Sequence, residues 1–341
     1  MSEVKREMKF NYGGQAVLEG VMMRGQHIFA VAVRDPKGKI VLHKGTVPAA
    51  LYRGRISKTP FLRGVVGLWD AMGLGVRALM WSADVALDEE EANFNGPLGW
   101  ATVAFSLLFA VGLFFILPTA LSTAVGDWLG LQNSPFLVNL IEGIIQLAIL
   151  IAYIGLTGLL PDMRRVFGYH GAEHKTINAY EAGAELKPEI VQRYPIEHPR
   201  CGTAFLLIVV FVSILVFSLF GRPPFLLLIL SRVLLIPVIA GIAYEVLRWT
   251  ASNMYRPWVR VIVKPNLALQ HLTTRQPTLE MIEVAIEAFK AVLASEGETE
   301  EETAPAADVI IEVEEPTSIP EPGDPEGAMP FPSPLPAPGV D

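Results

Sequence analysis

Residues 203–220 read TAFLLIVVFVSILVFSLF, an apolar run long enough to cross the hydrocarbon core of a bilayer as a helix. Three further runs of this kind lie at about 100–125, 136–160 and 225–247. Only 18% of the 341 residues are charged and the mean hydropathy is +0.40, which is too apolar for an ordinary soluble domain. We therefore predict a mainly α-helical integral membrane protein with about four transmembrane helices, whose membrane region covers residues 98–247.

The loops between these runs differ in their basic residues. Lys and Arg are frequent before the first run, between the second and third, and after the fourth. Loop 126–135 contains none, and hairpin 221–224 contains only Arg222. Because cytoplasmic loops carry an excess of Lys and Arg, we predict a multi-pass plasma-membrane protein with both termini and the loop 161–202 in the cytoplasm. The expected partner is the lipid bilayer and not nucleic acid, whereas neither a substrate nor an oligomeric state follows from the sequence.

The two ends of the chain have the composition of cytoplasmic segments. Residues 1–60 contain a glycine-bracketed apolar run at 13–25 and a predicted β-hairpin at 29–43, which turns at a Pro/Gly sequence. Residues 248–296 end in a predicted amphipathic helix, and residues 297–341 are acidic, rich in proline and predicted to be disordered. These segments predict a small α+β part outside the membrane.

Residues 61–90 show an amphipathic pattern with few charges. Arg63, Asp70, Arg77 and Asp84 recur every seven residues, so on a helix they form one narrow polar stripe. This pattern predicts an amphipathic helix that lies in the membrane interface or under the bundle of spans. The alternative is a helix inserted among the spans, with its stripe facing a protein surface.

A short motif in the loop 161–202 contains candidate metal-binding and catalytic residues. It reads His170-Gly171-Ala172-Glu173-His174, the H-x-x-E-H order of one class of zinc peptidases. Two histidines four residues apart on a helix can bind one divalent metal ion from the same side, and Zn²⁺ is the ion expected here. Glu173 is not needed as a ligand, so it is the candidate general base.

A second group of candidate ligands precedes the run at 203–220. His198 and Cys201 are three residues apart, and Cys201 is the only cysteine of the chain. Together with His170 and His174 they would complete a closed, tetrahedral zinc site. A closed site predicts a membrane scaffold or biogenesis factor with a structural metal. A site left open beside Glu173 predicts a metal-dependent hydrolase that acts on a peptide, lipid or other amphiphile at the membrane interface.

Three further acids are candidates for alternative ligands or for support of the ligands. Glu181 lies on the same predicted helix face as the histidines, but helix rise puts it about 10 Å beyond His174. It can ligate only if the helix breaks. Glu245 follows the fourth run and Glu19 lies in the glycine-bracketed run, and either can approach the loop.

Two charged residues lie inside the apolar runs. Glu142 and Arg232 each occur about two turns after the start of their run, so they lie at similar depth in the predicted topology. Charges within a span are costly unless they are paired. We therefore predict an ion pair between these two side chains.

Several separated stretches resemble the bacterial YqhQ-like family of membrane proteins. They are GGQAVLEGVMMR at 13–24, YHGAEHKTINAYE at 169–181, HPRCGT at 198–203, LTTRQP at 272–277 and IEVA at 282–285. The resemblance extends from about residue 11 to residue 289 and implies that these blocks form one unit. It also implies a metal-dependent enzyme of the membrane, which is the usual label for this family of unknown function.

Overall fold

The computed structural model describes residues 12–47, 59–87, 96–298 and 309–313. The first four strands are β1 (Gly13–Val17), β2 (Gly20–Arg24), β3 (Ile28–Arg34) and β4 (Ile40–Thr46), and they form an antiparallel meander. The predicted hairpin is confirmed as β3–β4, with Arg34 opposite Ile40. Strands β1 and β2 occupy the glycine-bracketed run, which the sequence pattern alone does not assign to strands.

Helices make up most of the described residues. They are α1 (Leu62–Leu87), α2 (Pro97–Val111), α3 (Leu117–Trp128), α4 (Pro135–Thr157), α5 (Pro161–Glu181), α6 (Pro188–Val191), α7 (Thr203–Phe220), α8 (Phe225–Leu234), α9 (Ile236–Ser252), α10 (Pro257–Thr273) and α11 (Leu279–Glu298). The helix predicted near the C-terminal end of 248–296 is therefore confirmed as α11.

The acidic tail contributes one strand, β5 (Val309–Val313), which pairs antiparallel with β4. The prediction of disorder for 297–341 is therefore wrong for these residues. Four of the five are Val or Ile, which favour strands, and β4 would otherwise be an edge of the sheet. Residues 299–308 and 314–341 lie outside the described residues, as do 1–11.

Within the described residues, three helical segments are long and apolar enough to cross a membrane, or four if a bent pair counts as one span. The three are Pro97–Trp128, which joins α2 and α3, then α4 and α7. The bent pair is α8 and α9, which meet at 43° close to Pro237. By length and composition, these segments match the four runs in the sequence.

A proline inside the first span is accommodated by the second span. A π-helical turn, Gly112–Ile116, precedes Pro118, whose ring nitrogen cannot donate to the carbonyl of Phe114. Gln146 of α4 replaces that donor, because its Nε2 donates to the Phe114 oxygen at 3.1 Å. The carbonyl freed by the proline is thus satisfied by a neighbouring helix, as an apolar environment requires.

The sheet is covered on both faces. Met23 and the opposite Ala30 belong to a core shared with α5 and α11, whereas Met22 and the opposite Val31 belong to a core shared with α1. This division follows from the alternation of side chains along a strand. Because α5 packs against β1, β2 and α11, the helix that carries the H-x-x-E-H motif is held on three sides.

Helix α1 lies between the sheet and α9. Its polar stripe meets charged groups of both neighbours: Arg63 forms an ion pair with Glu245 of α9, and Arg24 of β2 donates to Asp70 at 2.9 Å. The stripe therefore faces protein at these two positions. The position of α1 relative to the membrane stays a prediction.

Candidate metal centre

The two histidines of the motif are oriented alike by backbone carbonyls. His170 and His174 lie one turn apart on α5, with ring centroids separated by 4.4 Å. Nδ1 of His170 lies 2.9 Å from the carbonyl oxygen of Thr273, and Nδ1 of His174 lies 2.6 Å from that of Ile196. Since a carbonyl can only accept, Nδ1 carries the proton in both rings and each Nε2 presents a lone pair. Such contacts are typical of histidines that bind a metal.

The cysteine completes a group of three potential ligands. The sulfur of Cys201 lies 3.3 Å from Nε2 of His170, and the ligand atoms of Cys201, His170 and His174 all lie within 4.8 Å of one another. Ligand atoms around a tetrahedral zinc ion are roughly 3.4–3.6 Å apart. Two imidazole nitrogens and one cysteine sulfur are ligand types that Zn²⁺ accepts, and they lie close enough together to be candidates for one ion.

Cys201 also lies at the start of a membrane span. Its sulfur is 3.5 Å from the backbone nitrogen of Thr203 and 3.2 Å from the Thr203 hydroxyl, in the first turn of α7. The N-terminus of a helix favours negative charge nearby. The position thus places the Cys201 sulfur against the N-terminal backbone of α7.

Side chains of α5 fix the loop that follows the helix. The ammonium group of Lys175 donates to the carbonyl oxygens of Gln192 and Tyr194 at 2.8 and 2.7 Å, and burial lowers the pKa of this lysine. Asn178 donates from Nδ2 to the carbonyl oxygens of Pro195 and Glu197 at 2.9 and 3.0 Å. The residues that follow the H-x-x-E-H motif thus hold the segment whose Ile196 carbonyl orients His174. Sequence reasoning did not identify them.

A buried glutamine fixes the turn that carries His198 and Cys201. Gln270 of α10 accepts from the backbone N–H of His198 at 2.9 Å and donates to its carbonyl oxygen at 2.8 Å. Its side chain is completely buried. Helix α10 thus supports the site twice, through Gln270 and through the Thr273 carbonyl. Thr273 lies in the LTTRQP stretch, whereas no sequence motif marks Gln270, because a single amide in an apolar helix has no characteristic spacing.

His198 is close to the group but does not belong to it. Its ring is buried and lies 5.5 Å from the ring of His174, centroid to centroid. Its Nε2 lies 3.4 Å from Nη2 of Arg200, which can only donate. Burial, with smaller contributions from His174 and His170, lowers the pKa of His198 to about 3, so the ring is neutral.

Glu173 is buried next to the ligands and faces the sheet. Its side chain is 5% exposed, and its carboxyl group accepts the backbone N–H of Gly14 in β1. Burial raises the pKa of Glu173 to about 7, although His170 and the Gly14 N–H act in the opposite direction. A β-carbon on Gly14 would lie 2.5 Å from the Met22 carbonyl oxygen and 3.1 Å from the Glu173 carboxyl carbon, so a larger residue would clash with β2 and crowd Glu173.

The other predicted acids do not join the cluster. Glu181 pairs with Arg200, which in turn contacts His198, so it supports the turn from a distance. Glu19 pairs with Arg165 and accepts from the hydroxyl of Tyr169 at 3.3 Å, and thereby ties the β1–β2 turn to α5. Glu245 pairs with Arg63 and fixes the start of α1 on α9.

The charged side chains within the spans lie at the opposite end of α4 from the metal centre. Arg232 donates from Nε to Glu142 Oε1 at 2.8 Å and from Nη2 to Oε2 at 3.0 Å. Arg222 donates to the same carboxylate at 2.9 Å, and Oδ1 of Asn139 accepts from both arginines. Sequence reasoning did not include Arg222, although it is the only basic residue in the loops assigned to the outer side.

Gly171, inside the motif, has a steric role that yields a testable expectation. A β-carbon at this position would lie 2.3 Å from the carbonyl oxygen of Arg275 and 2.9 Å from Cδ1 of Ile196. Gly171→Ala should therefore push α5 away from both segments that orient the histidines and cost about 1–3 kcal/mol of stability. Thermal unfolding and zinc titration measure the two effects.

Gly202→Ala is a matched control for Gly171→Ala. Gly202 adjoins Cys201, has φ of −61°, and a β-carbon there would meet no atom within 4 Å. This variant should unfold and bind zinc as the wild type does. Equal behaviour of the two alanine variants would contradict the steric role of Gly171.

The comparison with protein families assigns the chain to one family. A family described as "Protein of unknown function (DUF1385)" matches residues 59–295, which include all three members of the His/Cys group. The chain belongs to this family. It is also 35% identical over 312 residues to "Uncharacterized protein YqhQ" of Bacillus subtilis (strain 168), which covers 88% of this chain and 97% of that protein. No solved structure matches the chain.

Proposed function

We propose that this family member is a metal-dependent hydrolase of the membrane, with its site at the cytoplasmic end of the spans. The observation that carries the proposal is the group His170, His174 and Cys201, in which backbone carbonyls orient both Nε2 atoms toward a common position beside the sulfur. Three protein ligands with a vacant fourth direction are typical of catalytic zinc sites, whereas structural sites have four.

The residues around the group have the properties that hydrolysis requires. A bound Zn²⁺ would supply Lewis-acid chemistry to a carbonyl or phosphoryl oxygen. Glu173 would hold and return a proton, since burial raises the pKa of this carboxyl group to about 7, close to the pH at which it would act. To do so, Glu173 must exchange its contact with the Gly14 N–H for one with substrate or solvent.

The position of the site favours a substrate that partitions into the membrane. Cys201 lies two residues before α7 begins, and α5 begins four residues after α4 ends. Among the three ligands, His170 is the one with partly exposed surface, so access is from its side. The distribution of basic residues supports the cytoplasmic side. A peptide segment, lipid or other amphiphile at this interface is the substrate class that we propose.

A structural metal site is the second candidate, and one observation favours it. His198 is buried beside His174, and its Nε2 would need only to leave Arg200 to become a fourth ligand. A set of three histidines and one cysteine would close the coordination shell. The protein would then be a membrane scaffold or biogenesis factor whose loop is fastened by the metal.

Loading the purified protein with Co²⁺ distinguishes the two candidates. If the site is open, acetohydroxamate should shift the visible cobalt spectrum in a saturable manner, because it can occupy the vacant position. If His198 closes the site, only the His198→Ala variant should respond. Glu173→Gln should retain one metal per chain, since Glu173 is not a ligand in this proposal. A wild type without stoichiometric metal would contradict both candidates.

A further inference from the structure

The α9–α10 corner carries an unusual concentration of unpaired positive charge. Residues 246–279 contain five Lys or Arg and no Asp or Glu. Four of these, Arg248, Arg256, Arg260 and Lys264, are exposed, and we call them the basic corner. Among the described residues none of the four forms an ion pair with a carboxylate. Arg256 donates from Nε to the Tyr255 hydroxyl at 3.1 Å, and Arg260 donates from Nε to the Met254 carbonyl oxygen at 2.8 Å, so neither contact is to a carboxylate.

Three of the four charges form one stripe along α10. Arg260 and Lys264 are four residues apart on α10, which places them on one side of the helix, and Arg256 is the residue that directly precedes the helix. The side that packs on the protein is different and consists of Val259, Val263 and other buried residues. The stripe therefore does not contribute to packing within the chain.

A third side of α10 is apolar and exposed. Trp258, Val261 and Ile262 are 49%, 60% and 56% exposed, so about half or more of the surface of each of these apolar side chains contacts no protein. The side chain of Trp258 is also 5.5 Å from that of Trp249, centroid to centroid. Exposed tryptophans next to Arg and Lys are typical of the level at which lipid headgroups meet hydrocarbon.

Packing places α10 at the level of the membrane helices. Leu269 of this helix lies in one cluster with Leu150 and Ile154 of α4 and with Val210 of α7. Both α4 and α7 are apolar enough to span a bilayer. Helix α10 therefore packs, through Leu269, against two helices that are long and apolar enough to cross a membrane.

We propose that the basic corner binds the headgroups of anionic phospholipids in the adjacent leaflet. The exposed apolar side of α10 enters the interface, and Arg248, Arg256, Arg260 and Lys264 donate to lipid phosphates. A bilayer surface is the occupant that satisfies both features at once, since it offers hydrocarbon and negative charge side by side. This surface is separate from the metal centre, and its test does not depend on metal binding.

The test measures lipid preference of the full chain. Wild type in non-ionic detergent is titrated with dioleoylphosphatidylglycerol or dioleoylphosphatidylcholine, and bound lipid is counted by native mass spectrometry. Each basic residue near a membrane surface contributes roughly a fivefold preference for anionic lipid. In the quadruple variant R248Q/R256Q/R260Q/K264Q, the preference for phosphatidylglycerol over phosphatidylcholine should therefore be at least tenfold weaker than in the wild type.

A matched variant separates local from general charge effects. K39Q/K187Q/R193Q/K290Q removes the same number of exposed positive charges from surfaces away from α10. It should keep the wild-type preference. Equal preference in the basic-corner variant and the wild type would overturn the proposal, as would a wild type that binds both lipids alike. Unchanged elution and unchanged thermal unfolding show that each variant is folded. If the basic corner binds an acidic protein but shows no preference between the two lipids, the proposal is contradicted.

Discussion

Glu142→Leu is expected to destabilise the folded protein by about 3–5 kcal/mol, because it leaves two arginines without their carboxylate in an apolar environment. Arg232 is only 1% exposed, and its guanidinium carbon lies 3.8 Å from the centre of the Phe217 ring. Arg222 depends on the same carboxylate. Unfolding in mixed micelles with increasing denaturing detergent measures the loss.

Two further variants test the cause of this loss. Glu142→Leu combined with Arg232→Met and Arg222→Met removes all three charges of the cluster and should recover most of the stability, since no member is then left unpaired. Glu245→Gln breaks an ion pair whose two side chains are each 21% exposed, so it should cost less than about 1 kcal/mol. If Glu142→Leu unfolds like the wild type, the cluster does not stabilise the spans.

Gln270→Met is expected to weaken zinc binding about 10–100-fold, because the turn that carries His198 and Cys201 loses both of its hydrogen bonds to α10. Methionine preserves the approximate volume but neither hydrogen bond. His174→Ala removes a proposed ligand and should abolish stoichiometric zinc binding. It therefore gives the lower limit of zinc affinity with which Gln270→Met is compared. Chelator competition gives the affinities, and elemental analysis gives the stoichiometry.

Gln146→Met separates a positioning role of Gln270 from general destabilisation. Gln146 is also a buried glutamine, and its side chain bonds to Phe114 and Ser213 within the spans. Each replacement leaves buried polar groups unpaired and should lower stability by about 1–3 kcal/mol. Only Gln270→Met should alter zinc affinity. Equal zinc affinity in both variants would show that Gln270 does not position the metal centre.

The helices that are long and apolar enough to cross a membrane could be predicted from the sequence, because one physical requirement dominates them. Roughly 20 consecutive apolar residues are needed to cross a bilayer, and that requirement does not depend on neighbours. The hairpin β3–β4 could likewise be predicted, from its apolar strands and its Pro/Gly turn. Strands β1 and β2 could not be predicted, because in five-residue strands bracketed by glycines the alternation of apolar residues is too short to recognise.

The elements that were predicted incompletely depend on contacts between residues that are far apart in the sequence. The heptad stripe of α1 indicates a helix, but pairing of Arg63 with Glu245 shows which surface it meets. Strand β5 forms because β4 offers an open edge. In each case the partner lies more than a hundred residues away, and local pattern contains no information about it.

The amino-acid sequence by itself determined the helical membrane character and the two histidines of the site, because hydropathy and i, i+4 spacing act within one helix. Only the tertiary structure decided that Cys201 joins His170 and His174 while His198 turns toward Arg200. It also decided that α10 supplies Gln270 and the Thr273 carbonyl. The physical reason is that side-chain direction in a turn, and the hydrogen bonds that fix it, depend on the packing of helices far apart in the chain.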